Sequence, residues 1–289
     1  MPMPKIPYII VSPNYRNSNA GVRVLYKLCH ILNSKGYESY MTDSGSNPLW
    51  NTPTLKNDTE KTYKLINSGA IVLYPDIYPN NSFSSLRPVG FIAYPGRTLP
   101  YQNVFYYNNA MKANIPKDRI LTISPIEKEL FNTDVQEERN INTVWVGKGD
   151  GSVVPKDISD VKMITASEPA TREELASWLK KSKVLYTCDP YTALIDESRF
   201  CGTPVVYLPN AACPNMSDFF NRIKIGASTV YGSGEGSQGY SILGIAQGNT
   251  VEDIDKARQE LPEFLKFKDA YCKDEDAMVD NFIAVTQSM

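Results

Sequence analysis

The sequence predicts an α/β protein of two tandem Rossmann-like domains followed by a helical C-terminal tail. Three observations predict it. Short apolar runs alternate with stretches of helical periodicity, first before residue 125 and again after residue 143. A polar stretch, "FNTDVQEERNINT" (Phe131–Thr143), separates the two series and has almost no apolar content. The charge changes sign across it: residues 1–135 carry 14 Lys and Arg against 9 Asp and Glu, and residues 136–289 carry 16 against 23. The reading is a domain over 1–135, a second over 136–265 and a tail over 266–289 that packs back toward the first.

The elements follow in order. "IPYIIVS" (Ile6–Ser12) is a buried-strand signal, and a polar loop, "PNYRNSNAG", comes after it. Val22, Leu25, Cys29 and Leu32 then recur at helical spacing, with Gly36 as the stop. "YESYMT" closes a βαβ unit, the opening of a parallel sheet. Further strands are expected at Ala70–Pro75, Val89–Pro95, Asn103–Tyr107 and Ile120–Ser124. The second series begins with strands at Thr143–Gly147 and Val161–Ala166. A helix over Thr171–Ser182 follows, with Thr171 as cap and Glu174 at capping-box spacing. "KVLYTC", a helix "ALIDESRFCG" and "PVVYLP" continue the alternation, and helices finish the chain. Open parallel sheets bind ligands beyond the carboxyl ends of their strands, so a cleft between two such ends is expected to hold the ligand.

Composition narrows the class. With 289 residues, 42% hydrophobic and 21% charged, the chain is ordinary for a globular protein. No apolar run reaches the length of a membrane span, and that of "MPMPKIPYIIVS" is too short for a signal peptide, so a cytoplasmic location is expected. Five cysteines (Cys29, Cys188, Cys201, Cys213, Cys272) with no C-x-x-C pair argue for buried reduced thiols, against a disulfide framework or zinc site. His30 sits mid-helix beside apolar positions and reads as structural. "YGSGEGSQG" (Tyr231–Gly239) lacks the spacing and following helix of a phosphate loop and reads as a surface loop.

The chemistry concentrates in "CDPYTALIDESRFCGTPVVYLP" (Cys188–Pro209). Asp189 follows a strand, and Glu197, separated from it by seven residues, lies on the next helix, so both belong to the ligand end of the second sheet. Taken singly, Asp189 reads as a turn cap and Glu197 as a solvated helix residue. The pair together with "GTPVV" (Gly202–Val206) resembles the donor-binding signature of retaining GT-B glycosyltransferases. There, two acids stand seven residues apart and the second opens a helix with this ending. Here the first acid is Asp rather than the usual Glu. The resemblance implies a GT-B architecture and a transferase using a nucleotide sugar. Glu197 would hold the ribose, Asp189 would contact the transferred sugar, and the amides of Tyr191, Thr192 and Ala193 would approach the diphosphate.

Weaker likenesses accompany it. "NSNAGVRVLYKLCHILNSKGYES" resembles the family's first loop and helix, with Gly21 as the glycine whose backbone nears the donor phosphate, flanked by Asn19 and Arg23. "TVWVGKGDG" resembles the first donor-domain strand, and Lys148 would neutralise the leaving diphosphate. "ILTISPIEKELF" (Ile120–Phe131) resembles the last strand and helix of the first domain. Arg97, in "YPGR", is a candidate for donor phosphate or acceptor, or an ordinary surface arginine. The family's usual histidine near the sugar is missing, which bears on the sugar's identity. "DED" (Asp274–Asp276) mimics the Asp-x-Asp of metal-dependent transferases but lies in a charged tail that reads as a solvated face.

The implied donor is a nucleotide sugar, a UDP-sugar by preference, with no metal or other cofactor. The acceptor is a hydroxyl, either of a hydroxylated base in DNA, as for the base-modifying glycosyltransferases of viruses, or of a glycan. The basic first half favours an anionic acceptor, and the lack of a Lys/Arg-rich run opposes it. A flipped base needs aromatic neighbours, for which Tyr15, Tyr94, Tyr101, Tyr106 and Tyr107 are available. Two alternatives stand beside the transferase: a sugar-nucleotide epimerase, and a non-catalytic nucleotide-sugar-binding protein.

Overall fold

The structure is a computed structural model that describes residues 4–109, 111–134, 138–227, 242–266 and 268–289. Among the described residues, ten strands form two sheets. The first contains β1 (Tyr8–Ile10), β2 (Ser39–Met41), β3 (Ile71–Pro75), β4 (Arg87–Ile92) and β5 (Asn103–Tyr106), in the order β2-β1-β3-β4-β5. The second contains β6 (Ile141–Trp145), β7 (Val161–Ile164), β8 (Ser182–Thr187), β9 (Val205–Tyr207) and β10 (Ile245–Ala246). Read from its β7 edge, its order is β7-β6-β8-β9-β10. Every pairing in both sheets is parallel. Each sheet therefore runs second-first-third-fourth-fifth, a doubly wound order whose switch point lies between the first and third strands. The helices are α1 (Ala20–Ser34), α2 (Thr59–Asn67), α3 (Arg172–Lys181), α4 (Leu194–Phe200), α5 (Met216–Ala227), α6 (Val251–Leu265) and α7 (Lys268–Gln287). The architecture is the two-fold α/β arrangement with a terminal helix that the sequence predicts.

Two compact units result, Met1–Pro125 with Lys273–Met289, and Ile126–Cys272. The sequence predicts boundaries at 135/136 and 265/266. In the first unit, side chains alternate along the strands to opposite faces of the sheet. Tyr8, Ile10, Ile71, Leu73 and Phe91 join α1 and α7 in one cluster, while Ile9, Val72 and Tyr74 join Leu55 and Ile66 in another. From α7, Val279, Phe282 and Ile283 enter the first cluster, and the Phe282 ring lies 4.9 Å from that of Phe105. Asn19 caps α1 by accepting from Val22 N–H, and Gly36 takes φ +76° just past its end, the left-handed stop expected there.

One expected strand is absent as such. Ile120–Ser124 is buried but has a single bridge to the sheet, Tyr106 to Ile120. Its amides turn to α7 instead: Thr122 N–H meets Met278 Sδ at 3.3 Å and Ser124 N–H meets Glu275 Oε1 at 2.7 Å. Lys27 holds the same carboxylate at 3.1 Å and donates to Ser124 O.

In the second unit, Leu185, Val205 and Tyr207 face α3 and α4, while Val144, Val184, Tyr186 and Val206 face the other way. Thr171 caps α3 through Glu174 N–H, and the Glu174 carboxylate reaches back to Ala170 N–H, one residue before the cap. Gly202, at φ +71°, ends α4 and lets "TPVV" enter β9. "IEKELF" (Ile126–Phe131) is neither a helix nor part of the first unit. It is a turn whose Ile126 and Phe131 sit in the second unit's core, because both are apolar and need a buried face. "YGSGEGSQG", Cys272 and Asp274 lie outside the residues described at side-chain level. The other four cysteines are buried and free. Among the described residues, no helix is long and apolar enough to cross a membrane.

Candidate functional site

The loops that leave β6 and β8 meet at the switch point of the second sheet. Asp189, 4% exposed, ties them together. Its Oδ2 accepts from Lys148 N–H at 3.2 Å and from Trp145 Nε1–H at 3.4 Å, and its Oδ1 accepts from Tyr191 N–H at 3.0 Å. Three donors from two loops thus converge on one carboxylate. Packing around it is tight. Gly147 has φ +54°, and a Cβ there would lie 2.3 Å from Asp189 Oδ2; a Cβ on Gly149 would lie 2.2 Å from Cys188 O. "VGKG" therefore needs its glycines because the Asp189 turn presses against it. Lys148, between them, carries its side chain on the exposed surface. Burial, then the neighbouring Asp150 and Asp189, push the Cys188 thiol up to about 11, so it stays protonated at neutral pH.

Glu197, in the first turn of α4, is 1% exposed and faces an arginine the sequence reading did not single out. Arg172 Nη2 lies 2.6 Å from Glu197 Oε1 and its Nη1 lies 3.4 Å from Oε2. The same guanidinium binds Glu127 Oε2 through Nη2 at 2.8 Å and Nε at 3.2 Å, and it stacks 4.5 Å from the centre of the Phe131 ring. Burial alone would lower the Arg172 pKa, but the Coulomb pull of Glu197 and Glu127 outweighs it and holds the pKa above the usual arginine range. The signals in the sequence were slight: Arg172 reads as the first residue of an amphipathic helix, and Glu127 as part of the strand and helix expected over Ile120–Phe131.

Between these two acids lies the turn of Tyr191, Thr192 and Ala193. The Tyr191 amide is occupied by Asp189, so it does not point outward as the resemblance implied. The amides of Thr192 and Ala193 have no acceptor among the described residues. Tyr191 itself is exposed, its ring stacks against Arg222 and its hydroxyl bonds the same guanidinium. The adjacent Asp196 pairs with Arg199.

In the first unit, Asn19, Gly21 and Arg23 occupy the start of α1, beyond the carboxyl end of β1. Asn19 serves as the cap. Gly21 is exposed and uncrowded, a Cβ meeting only Asn19 Oδ1 at 3.5 Å. Arg23, by contrast, is 3% exposed and donates to Pro125 O at 2.8 Å, so its guanidinium is built into the unit's interior. Arg97 is exposed beside Tyr94, in a loop whose preceding amides, Ala93 and Tyr94, are both held by Asp76 Oδ2. Of the five tyrosines, Tyr94 is exposed. Tyr15 packs edge-on against Tyr26 and Trp50, Tyr101 stacks on Tyr74, Tyr106 has Lys112 over its ring, and Tyr107 packs against the core.

His30 accepts from Asn51 N–H and stacks on Trp50, a structural setting. Asp253 and Asp255, a second Asp-x-Asp spacing, lie near the start of α6, where Asp253, in the first turn, receives the Thr250 hydroxyl at 2.8 Å. Among the described residues, no group of three or more His, Cys, Asp or Glu is placed to hold a metal ion.

Fold and geometry thus define an α/β protein with two doubly wound units and a hydrogen-bonded, charged loop pair at the second switch point. No protein-family model and no curated protein sequence matches the chain. Its course is similar to that of several solved structures. One is an alpha-glucosyltransferase in complex with UDP and a 13-mer DNA containing a central A:G mismatch, at 12% identity, TM-score 0.49, over 95% of this chain and 94% of that one. Another is assigned as a UDP-N-acetylglucosamine 2-epimerase of Listeria monocytogenes, at 11% identity, TM-score 0.48, over 96% and 97%. A third is the glycotransferase of kitacinnamycin, at 10% identity, TM-score 0.43, over 99% and 96%. Likeness at this level describes the course of the chain and assigns no activity to it.

Proposed function

We propose that the chain is a glycosyltransferase that moves a sugar from a nucleotide sugar, a UDP-sugar by preference, to a hydroxyl acceptor with retention of configuration. The observation that carries the reading is the junction of the Lys148 loop and the Asp189 turn at the second switch point, with the Glu197 carboxylate fixed on the helix that follows. Doubly wound sheets bind nucleotides there. In this reading Lys148 and the amides of Thr192 and Ala193 receive the diphosphate, and Glu197 receives the ribose hydroxyls. Asp189 has two tasks: it holds the Lys148 loop in place, and its carboxylate borders the transferred sugar. Gly21 and Asn19 near the phosphate, and Arg97 as an acceptor contact, complete the proposed set. Arg23 supports the first unit from within.

The reaction forms the bond from the acceptor oxygen to the anomeric carbon and breaks the bond from that carbon to the phosphate oxygen. The acceptor proton passes to the leaving phosphate, so no histidine is required. Charge grows on the diphosphate as the bond breaks, and a fixed cation at Lys148 lowers that barrier. The proposed acceptor is a hydroxylated base in DNA or a glycan hydroxyl, and no metal takes part.

The test is a melting-temperature screen with UDP, GDP, ADP, CMP and their sugar derivatives. A ligand bound to the native state alone raises the melting temperature. UDP and a UDP-sugar are expected to do so, followed by transfer to hydroxymethylated DNA or a glycan in the presence of EDTA. A folded sample that responds to no nucleotide would sink the reading.

A further inference from the structure

Asp189 holds two backbones, one on each oxygen: Lys148 N–H meets Oδ2 at 3.2 Å and Tyr191 N–H meets Oδ1 at 3.0 Å. The side chains of Lys148 and Tyr191 are both exposed, Tyr191 at 55%. Through Tyr191 a further charge enters this place. Arg222, half-buried on α5, donates through Nη1 to the Tyr191 hydroxyl, and its guanidinium carbon lies 5.3 Å from the centre of the ring. Its charge also reaches Tyr207, the last residue of β9: burial and the Cys213 thiol push the Tyr207 hydroxyl pKa up, and Arg222 pulls against them. The cation therefore belongs to the loops at the carboxyl ends of β8 and β9, the ligand end of the second sheet.

Arg222 has no carboxylate partner among the described residues. Asp218, one helical turn earlier and at the spacing of an i,i+4 pair, has its carboxylate on the Asn215 side-chain amide at 2.9 Å instead. A guanidinium has several N–H donors, and the described residues engage one of them here. Arg222 is thus held in place by a hydroxyl and a ring, with its charge left uncompensated.

We propose that Arg222 is a second fixed cation for the diphosphate of the nucleotide sugar, and that Tyr191 is the positioning residue that holds it beside the Lys148 loop. This rests on the transferase reading above and deepens it by a binding residue. A sugar-linked diphosphate is negative on both phosphoryl groups, and more charge develops as the anomeric bond breaks, so one lysine neutralises only part of it. A guanidinium presents parallel N–H donors that match two oxygens of one phosphoryl group, which an ammonium does not. Asp189 couples the two cations: one oxygen sets the Lys148 backbone, the other sets the Tyr191 backbone, and Tyr191 sets Arg222.

The experiment measures the dissociation constants of UDP, by calorimetry, and of uridine, by ligand-observed NMR, at low and high NaCl on the full chain. The proteins are wild type, Arg222→Gln, Arg222→Lys, Tyr191→Phe and the double variant Tyr191→Phe/Arg222→Gln. Arg222→Gln is expected to weaken UDP at least about tenfold, the scale of a hydrogen bond to a charged group, and to leave uridine unchanged. It should also flatten the salt dependence of UDP binding. Arg222→Lys, which keeps the charge without the fork, should recover part of the loss. Tyr191→Phe keeps the ring and removes the hydroxyl, so it should weaken UDP about threefold, and it should add nothing in the double variant. A merely structural pair would lower the melting temperature of Arg222→Gln and leave the UDP-to-uridine ratio and its salt dependence unchanged, which would overturn the proposal. Equal losses for UDP and uridine would overturn it too. Should Arg222→Gln fail to fold, Arg222→Lys and Tyr191→Phe decide the matter by the same ratio. UDP binding that ignores Arg222→Gln would leave the transferase reading standing without this residue. No UDP binding by folded wild type would overturn both.

Discussion

The backbone amide of Lys148 donates to Asp189 Oδ2 at 3.2 Å, joining the loop after β6 to the turn after β8 across the switch point of the second sheet. The same carboxylate takes the Trp145 indole and the Tyr191 amide, so the position of Lys148 depends on Asp189.

Asp189→Ala would strip acceptors from three donors at once. Leaving buried donors unpaired costs about 1–3 kcal/mol each where water cannot enter. Part of the site borders the surface, so a loss of about 2–4 kcal/mol in total is expected, read as a lower melting temperature. Asp189→Asn, which keeps an oxygen but introduces an amide, should fall between wild type and alanine. Equal melting of all three would contradict the structural part of its assignment.

Lys148→Ala separates charge from scaffold. Its side chain is exposed, so stability should change by no more than about 0.5 kcal/mol. Turnover of a nucleotide sugar should fall by about 10²–10³, the scale for losing one preorganised transition-state contact. A variant that turns over at the wild-type rate would remove Lys148 from the mechanism.

The glycines sort by the space around them. Gly147→Ala and Gly149→Ala drive a methyl into Asp189 and the Cys188 carbonyl, and Gly147 also has a left-handed φ. Each should destabilise by about 1–3 kcal/mol, the range for local backbone strain. Gly21→Ala meets no such obstacle and, in a helix, should leave the melting temperature unchanged or raise it slightly. Any loss of donor binding in a stable Gly21→Ala protein would then report close ligand approach. Unchanged binding would release Gly21 from the proposed donor site.

The thiols define an alkaline limit. Burial raises Cys188 to about 11 and Cys29 and Cys201 to about 12, from ordinary values near 9. Because the folded pKa values lie above the unfolded ones, their contribution is fully present below pH 9 and is lost as pH climbs toward 11 and 12. Alkylation at pH 8 with peptide-level readout should leave Cys29, Cys188, Cys201 and Cys213 unlabelled in the folded protein. Rapid labelling of Cys188 under those conditions would show that its loop opens.

Much of this was legible in one dimension. The short apolar runs "YIIVS", "IVLYP" and "KVLYTC", alternating with stretches of helical spacing such as Val22, Leu25, Cys29 and Leu32, determined two doubly wound α/β units, because strand and helix signals are local properties of the chain. The elements around them likewise placed Asp189 just after a strand and Glu197 on the helix that follows. Partners were decided by the tertiary structure. Arg172 lies 25 residues before Glu197 and Glu127 a further 45 before Arg172, and nothing local in either segment announces the meeting. Ile120–Ser124 has the composition of a strand, yet its Thr122 and Ser124 amides were claimed by Met278 and Glu275, more than 150 residues away. Sequence periodicity fixes which face a residue shows. Which charge or carbonyl waits on that face depends on how distant elements pack, since buried polar groups take the partner that packing brings within hydrogen-bond reach.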